Sequence, residues 1–214
     1  GVTTLGARGE WISGRCTLGA TTCFAGFSPP VFPRERHYTF GYLRGDRAAG
    51  VALDGSYAHD GREVRGELAL DRNGNLSAVA FARFHRSDRW QTVLSLRALS
   101  PAYVAPYARV GQDGNRAQNE IGISGAMCYA GFRNSQIRGF IDAFRHPRPT
   151  FRAAAPSVGM VAGLEWEHLR GEWGQLLRYR VKSKQQTIAG FAPHLEFCTT
   201  HRLRARWSYE HSRW

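Results

Sequence analysis

The stretch HRLRARWSYEHSR, residues 201–213, decides how the whole chain is read. With a period of two, Leu203, Ala205, Trp207 and Tyr209 fall on one face, and Arg202, Arg204, Arg206, Ser208 and Glu210 on the other. Such alternation marks a β-strand with one apolar and one polar side, because successive side chains leave a pleated backbone in opposite directions. A helix is excluded: at about 3.6 residues per turn the arginines would spread around the whole circumference. Three arginines in a row on one face are unusual over an ordinary solvated sheet. The same design recurs along the chain, so the fold turns on what kind of sheet is apolar on one face and charged on the other.

The chain has 214 residues, with no linker to divide them, and is read as a single domain over 1–214. Lys+Arg exceed Asp+Glu by 29 − 17 = 12, and almost all of the excess is Arg. That balance favours an anionic partner such as nucleic acid, lipopolysaccharide or a small acidic solute. The alternative is that the arginines pair with carboxylates on an inner face. No run of about 18 apolar residues predicts a transmembrane helix, and no signal peptide is visible. The first residues, VTTLGARGEWIS, already alternate, so the chain reads as a mature piece or a fragment truncated at both ends. Cys16, Cys23, Cys128 and Cys198 form no CxxC or Cys/His ligand spacing, so neither a zinc site nor a disulfide framework is expected. No cofactor is expected.

In order, the pattern predicts strands at 3–13, 16–27, within 37–60, and at 62–71, 76–86, 90–100, 120–131 and 135–146. The stretches MVAGLEWEHLR, WGQLLRYRVKSK, QTIAGFAPHLEFCTT and the opening one complete the set. Asp60-Gly61 and Asn73-Gly74 are hairpin signals. The three prolines of 28–36 argue against a central strand there. The total is about eleven or twelve strands, longer than the ~5–6 residues usual in globular proteins and close to the ~9–11 that cross a bilayer when tilted. If 37–60 supplies one strand, the long loops at about 28–47, 101–118 and 147–157 share a rim. That asymmetry suits an antiparallel up-and-down transmembrane β-barrel.

Periodicity alone does not distinguish a soluble sandwich, whose apolar face is inside, from a membrane barrel, whose apolar face meets lipid. Strand length favours the barrel, as do the aromatic residues near strand ends: Trp11, Trp90, Tyr129, Trp166, Trp173, Tyr179 and Tyr209. In that reading Arg65, Arg97, Glu120, Arg138, Glu165, Glu167, Arg178, Arg180, Lys182, Arg202, Arg204, Arg206 and Glu210 line the lumen. The basic residues 178–182 and 202–206 then form a ladder on strands two apart, unless Glu165, Glu167, Glu196 and Glu210 pair with them. Loop residues Tyr103, Tyr107, Gln118 and Asn119 are candidates for a plug or a ligand surface.

Ser100-Pro101-x-Tyr103, Tyr107, Gln118-Asn119-Glu120 and Gly122, after the strand-ending Arg97, resemble a pattern in large proteins of Gram-negative bacteria. Those proteins carry helix-hairpin-helix motifs ahead of a predicted outer-membrane β-barrel. The stretches 140–157 and 176–184 look similar too, so the resemblance spans roughly 90–184. It implies a barrel region in the outer membrane, with lipid bilayer and lipopolysaccharide as surroundings. No helix-hairpin-helix motif is present here, so DNA binding is not carried over.

No nucleophile elbow, phosphate loop, HExxH or paired catalytic carboxylates occur, and no enzyme is expected. His194, Glu196 and Ser208 could form a hydrolase-like triple, but alternating polar residues generate such sets by chance. The leading expectation is an outer-membrane β-barrel, a passive channel or an uptake or assembly component with an Arg-rich lumen. The alternative is a soluble all-β domain whose basic face binds nucleic acid or an anionic glycan.

Overall fold

The computed structural model describes residues 1–106, 113, 116–188 and 194–209, leaving aside the side chain of Arg86. Among these there are eleven strands and no helix: β1 (Val2–Ser13), β2 (Cys16–Val31), β3 (Gly45–His59), β4 (Arg62–Asp71), β5 (Leu76–Ser87), β6 (Trp90–Leu99), β7 (Glu120–Phe132), β8 (Ser135–His146), β9 (Ser157–Arg170), β10 (Trp173–Thr187) and β11 (Leu195–Tyr209). Each strand pairs antiparallel with the next, giving one up-and-down sheet in the order β1 to β11. The sheet is not closed: among the described residues β1 and β11 each keep one unpaired edge. No helix is long and apolar enough to cross a membrane.

The hairpins at Asp60-Gly61 and Asn73-Gly74 form where the dipeptides predict, with positive φ at Asp60 (46°), Gly61 (70°) and Gly74 (81°). Segment 37–60 supplies one strand, β3, which starts at Gly45 (φ 95°). Two expectations are corrected. Stretch 186–200 is no separate strand: its first residues end β10 and its last ones begin β11. Residues 189–193 lie outside the described ones. Segment 28–36 is not wholly a loop either, because β2 continues to Val31; its pairing with β3 breaks between Gly26 and Val31, around the prolines.

Alternation assigns the long connections to one rim. Segments 32–44, 100–119, 147–156 and 188–194 all follow even-numbered strands, as does the short turn 72–75. The remaining connections, on the other rim, are of two residues. The long loops are tied to each other. Tyr38 packs edge-on against Phe151 (5.2 Å), Arg116 lies over the Tyr42 ring (3.7 Å), and Asn119 exchanges hydrogen bonds with Arg148 (2.8 and 3.0 Å).

The two faces differ as the period predicts. The polar face is concave: side chains from β1 through β6, including Arg8, Asp54, Arg65 and Arg97, line one groove of about 790 Å³. The convex face carries Leu5, Trp11, Leu53, Leu68, Leu96, Ile123, Leu164, Leu203 and Trp207, the last two 69% and 71% exposed. No second layer covers it among the described residues. The buried apolar set is small, with Ala25, Ala48, Ala69, Ala117 and Ala153 beside Leu99, Tyr103, Phe144 and Val161. Glu63, Asp71, Arg97, Glu120 and His146 are buried with them. What lies inside this sheet is largely charge.

Candidate functional site

The concave face is built from arginines that find carboxylates on neighbouring strands. Arg97 on β6 donates to Glu120 on β7 (2.5 Å) and to Asp142 on β8 (3.1 Å), with a second nitrogen of the guanidinium 2.8 Å from the other Asp142 oxygen as an ion-pair contact. Its side chain is 3% exposed and that of Glu120 1%. To reach β8 it must cross β7, and it crosses at Gly122, its register partner. A Cβ there would sit 2.8 Å from Arg97 Nε and closer still to its Cζ and Nη2. The device recurs at the other end of the sheet. Arg8 on β1 reaches Asp54 on β3 (2.6 and 2.9 Å) past Gly19 of β2, where a Cβ would meet both side chains at 2.6–2.8 Å. Glycine is needed at these two positions because the backbone itself is the floor of the crossing.

Toward the last strands the inner rows continue. Glu165 on β9 accepts from Arg138 of β8 (2.8 Å) and from Arg178 of β10, and Arg138 also reaches Glu167 (3.3 Å). Glu63 takes Arg65 and, across the pair with β5, Arg83 (2.6 Å). Arg180, Arg202, Arg204 and Arg206 make no ion pair with any described residue. The register sets Arg178 directly opposite Arg204 and Arg180 opposite Arg202. The basic residues expected on strands two apart therefore lie on adjacent strands. Among the described residues the carboxylate pairing considered as the alternative reaches Arg178 but not Arg180, Arg202, Arg204 or Arg206.

Among the described residues of the loop that follows β6, Asp113 ties it to the last strands, as Val104 ties it to Asp71 (2.9 Å). Asp113 binds Lys182 and Lys184 (2.8 Å) of β10, and its amide donates to Glu120 (2.9 and 3.2 Å). Burial pushes the Asp113 carboxyl up, but the two ammonium groups outweigh it and hold the carboxyl below the usual aspartate range. His146 is buried beside it, its Nδ1 on the Asn119 carbonyl (2.9 Å) and its Nε2 4.0 Å from Asp113. Tyr103 is buried, and that burial, reinforced by Glu67, Cys23 and Asp71, raises its phenol. Gln118 donates to the carbonyls of Gly41 (3.2 Å) and Tyr103 (3.0 Å).

Of the expected set, the structure gathers Arg97 and Glu120 into the buried triad and Arg138, Glu165, Glu167 and Arg178 into a network. Arg65 pairs with Glu63, and Lys182 clamps the loop. Glu210 and Tyr107 lie outside the described residues. Tyr103, Gln118 and Asn119 serve loop packing. Lys184 and His146 were not singled out by sequence reasoning. Lys184 could have been, since it continues the Arg178, Arg180, Lys182 alternation by one step. Among the described residues no group of His, Cys, Asp and Glu could hold a metal ion.

No protein family, curated protein or solved structure matches the chain.

Proposed function

We propose that the chain is an outer-membrane β-barrel protein or a large part of one. It acts as a passive channel or as an uptake or assembly component whose lumen is the arginine-rich concave face. The observation that carries this reading is the uncovered convex face. In a soluble sandwich that face would be buried under a second sheet; here its Leu, Ile and Trp side chains stay exposed across all eleven strands. Exposed apolar area on this scale calls for an apolar solvent.

Aromatic placement supports it further. Trp11, Tyr57, Trp90, Tyr129, Trp173 and Tyr209 are all outward and near the rim with two-residue turns, with Trp90 packed on Tyr129 (4.4 Å) and Trp173 on Tyr209 (4.8 Å). A girdle of Trp and Tyr at one level is what a lipid–water interface selects. Tyr179, by contrast, sits mid-strand opposite Leu164 and Leu203. The lumen reading assigns Arg178, Arg180, Arg204 and Arg206 to attracting anions, with lipopolysaccharide and small anionic solutes as the partners of fitting charge. A nucleic-acid-binding soluble domain is disfavoured because several basic groups are already paired internally.

The test is reconstitution. The refolded chain should need detergent or lipid to stay monomeric, and should give anion-preferring conductance in planar bilayers. Replacing Arg178, Arg180, Arg204 and Arg206 by Gln should lower that preference severalfold. A chain that is folded and monomeric without amphiphile would refute the membrane reading, and unchanged selectivity would refute the arginines' role.

A further inference from the structure

We infer that the long-loop rim carries a binding site for a phosphorylated sugar, seated in a cavity among the connections 32–44, 100–119 and 147–156.

Charge points to that rim. Among the described residues of the long connections there are seven arginines against two carboxylates, Glu35 and Asp113. The two-residue turns of the other rim hold three arginines and three carboxylates. Asp113 is already engaged by Lys182 and Lys184, and Glu35 stands 3.7 Å from Arg44 in the open. Nothing described on the long-loop rim cancels its excess of positive charge.

Shape narrows the place. A cavity of about 530 Å³ opens among these loops, with Arg116, His146, Thr150, Phe151, Arg152 and Lys184 on its wall. No carboxylate is among its described lining residues. The volume suits a small organic ligand, and a concave wall of one sign concentrates its field on what enters. Arg116 and Arg152 form no ion pair with any described residue. Arg116 lies over the Tyr42 ring (3.7 Å), which fixes the guanidinium while leaving the N–H donors at its edge for an oxyanion. Two such forks suit the several oxygens of a phosphate.

The rest of the wall describes what the phosphate is attached to. His146 is 3% exposed, and its Nδ1 donates to the Asn119 carbonyl (2.9 Å), which leaves a lone pair on Nε2. Neither that Nε2 nor Thr150 Oγ1 has a hydrogen-bond partner among the described residues. Enclosed polar atoms are normally bonded, and a lone pair asks for a hydroxyl donor, not for a second anion. The loops shield both atoms, so a ligand's hydroxyls reach them with a small rearrangement of side chains. Phe151, 74% exposed and edge-on to Tyr38 (5.2 Å), offers an apolar ring to the C–H side of a sugar. An anion for the arginines, hydroxyls for the enclosed atoms and a ring for Phe151 together specify a sugar phosphate.

The site stands on the loops and not on what meets the convex face. Its failure would leave the membrane reading intact, since that reading is tested by detergent dependence and conductance.

The experiment titrates the full chain in detergent micelles with glucose 6-phosphate, glucose and inorganic phosphate, read by calorimetry. Glucose 6-phosphate should bind at least about tenfold tighter than glucose or phosphate alone, because charge and ring contacts act on one molecule. Arg116→Gln and Arg152→Gln should each weaken it about tenfold, while Arg133→Gln on the opposite rim leaves it unchanged. Phe151→Ala should weaken glucose 6-phosphate severalfold and leave inorganic phosphate unaffected, which separates the ring's part from the charge. Should an arginine variant fail to fold, added salt on the unaltered chain should weaken glucose 6-phosphate and not glucose. Lipid A added to the micelles distinguishes the source of the ligand: competition assigns the site to a lipid-anchored phosphosugar, and its absence to a soluble one. No binding of glucose 6-phosphate at about 1 mM would overturn the proposal. So would equal affinity for inorganic phosphate, or a loss in Arg133→Gln as large as in the two cavity variants.

Discussion

Gly122 and Gly19 each decide whether an arginine reaches a carboxylate two strands away. At Gly122, a valine would push the guanidinium of Arg97 off Asp142 in a place where Arg97 is buried and Asp142 only partly exposed. Gly122→Val should cost about 2–4 kcal/mol in urea unfolding from micelles, the overpacking and the broken buried pair acting together. Arg97→Met should cost about 3–5 kcal/mol, because Glu120 then stays buried, and Asp142 half-buried, without their cation. Adding Glu120→Gln should recover part of the loss. Asp113 makes a pH-dependent contribution. Its carboxyl is held low, so its bonds to Lys182 and Lys184 act fully above the unfolded aspartate value of about 3.9 and fade as pH falls through the lower folded value. Proteolysis within 101–118 should therefore accelerate in acid, and Asp113→Asn should produce the same acceleration at neutral pH. These roles were only partly legible. Arg97 and Glu120 stand out in the sequence as charges on an alternating face. Gly122 stands out only as part of the resembling pattern and Gly19 not at all, because their crossing role involves three strands whose register no single stretch encodes.

At the scale of elements, period two was enough to find the strands and orient their faces. The opening stretch 201–213 reads correctly through Tyr209, with its arginines inward and Trp207 outward. The last connection was misread, since the apolar residues at 187–192 imitate a short strand and only Pro193 speaks against it. That error separated β10 from β11 and hid the opposition of Arg178 with Arg204 and of Arg180 with Arg202. Like charges directly across a strand pair are unfavourable. Arg202→Glu turns one such pair into an attractive one and should stabilise the isolated chain by about 0.5 kcal/mol, a small gain because both groups are exposed. Chemical denaturation at low salt would resolve it, and high salt should erase it.

For the whole molecule, the charged concave face and the apolar convex face leave the surrounding medium as the open variable, and one substitution reads that medium. Leu164 lies mid-strand on the convex face, 55% exposed. Leu164→Arg should cost about 2–4 kcal/mol when the sheet is folded in lipid vesicles, and close to nothing if the face meets water. Architecture to this level was readable from strand length and loop parity; whether the sheet closes was not, because closure depends on what the outer edges meet. The glycine crossings bear on fidelity of assembly. An uncovered apolar face has no facing layer to enforce alignment, and a strand slipped by two residues would still present its apolar side outward. Such a slip would move Gly122 out from under Arg97 and put Ser124 or Glu120 in its place. The molecule thus keeps time through notches and pegs of charge on its concave face, and errors in threading would be rejected there.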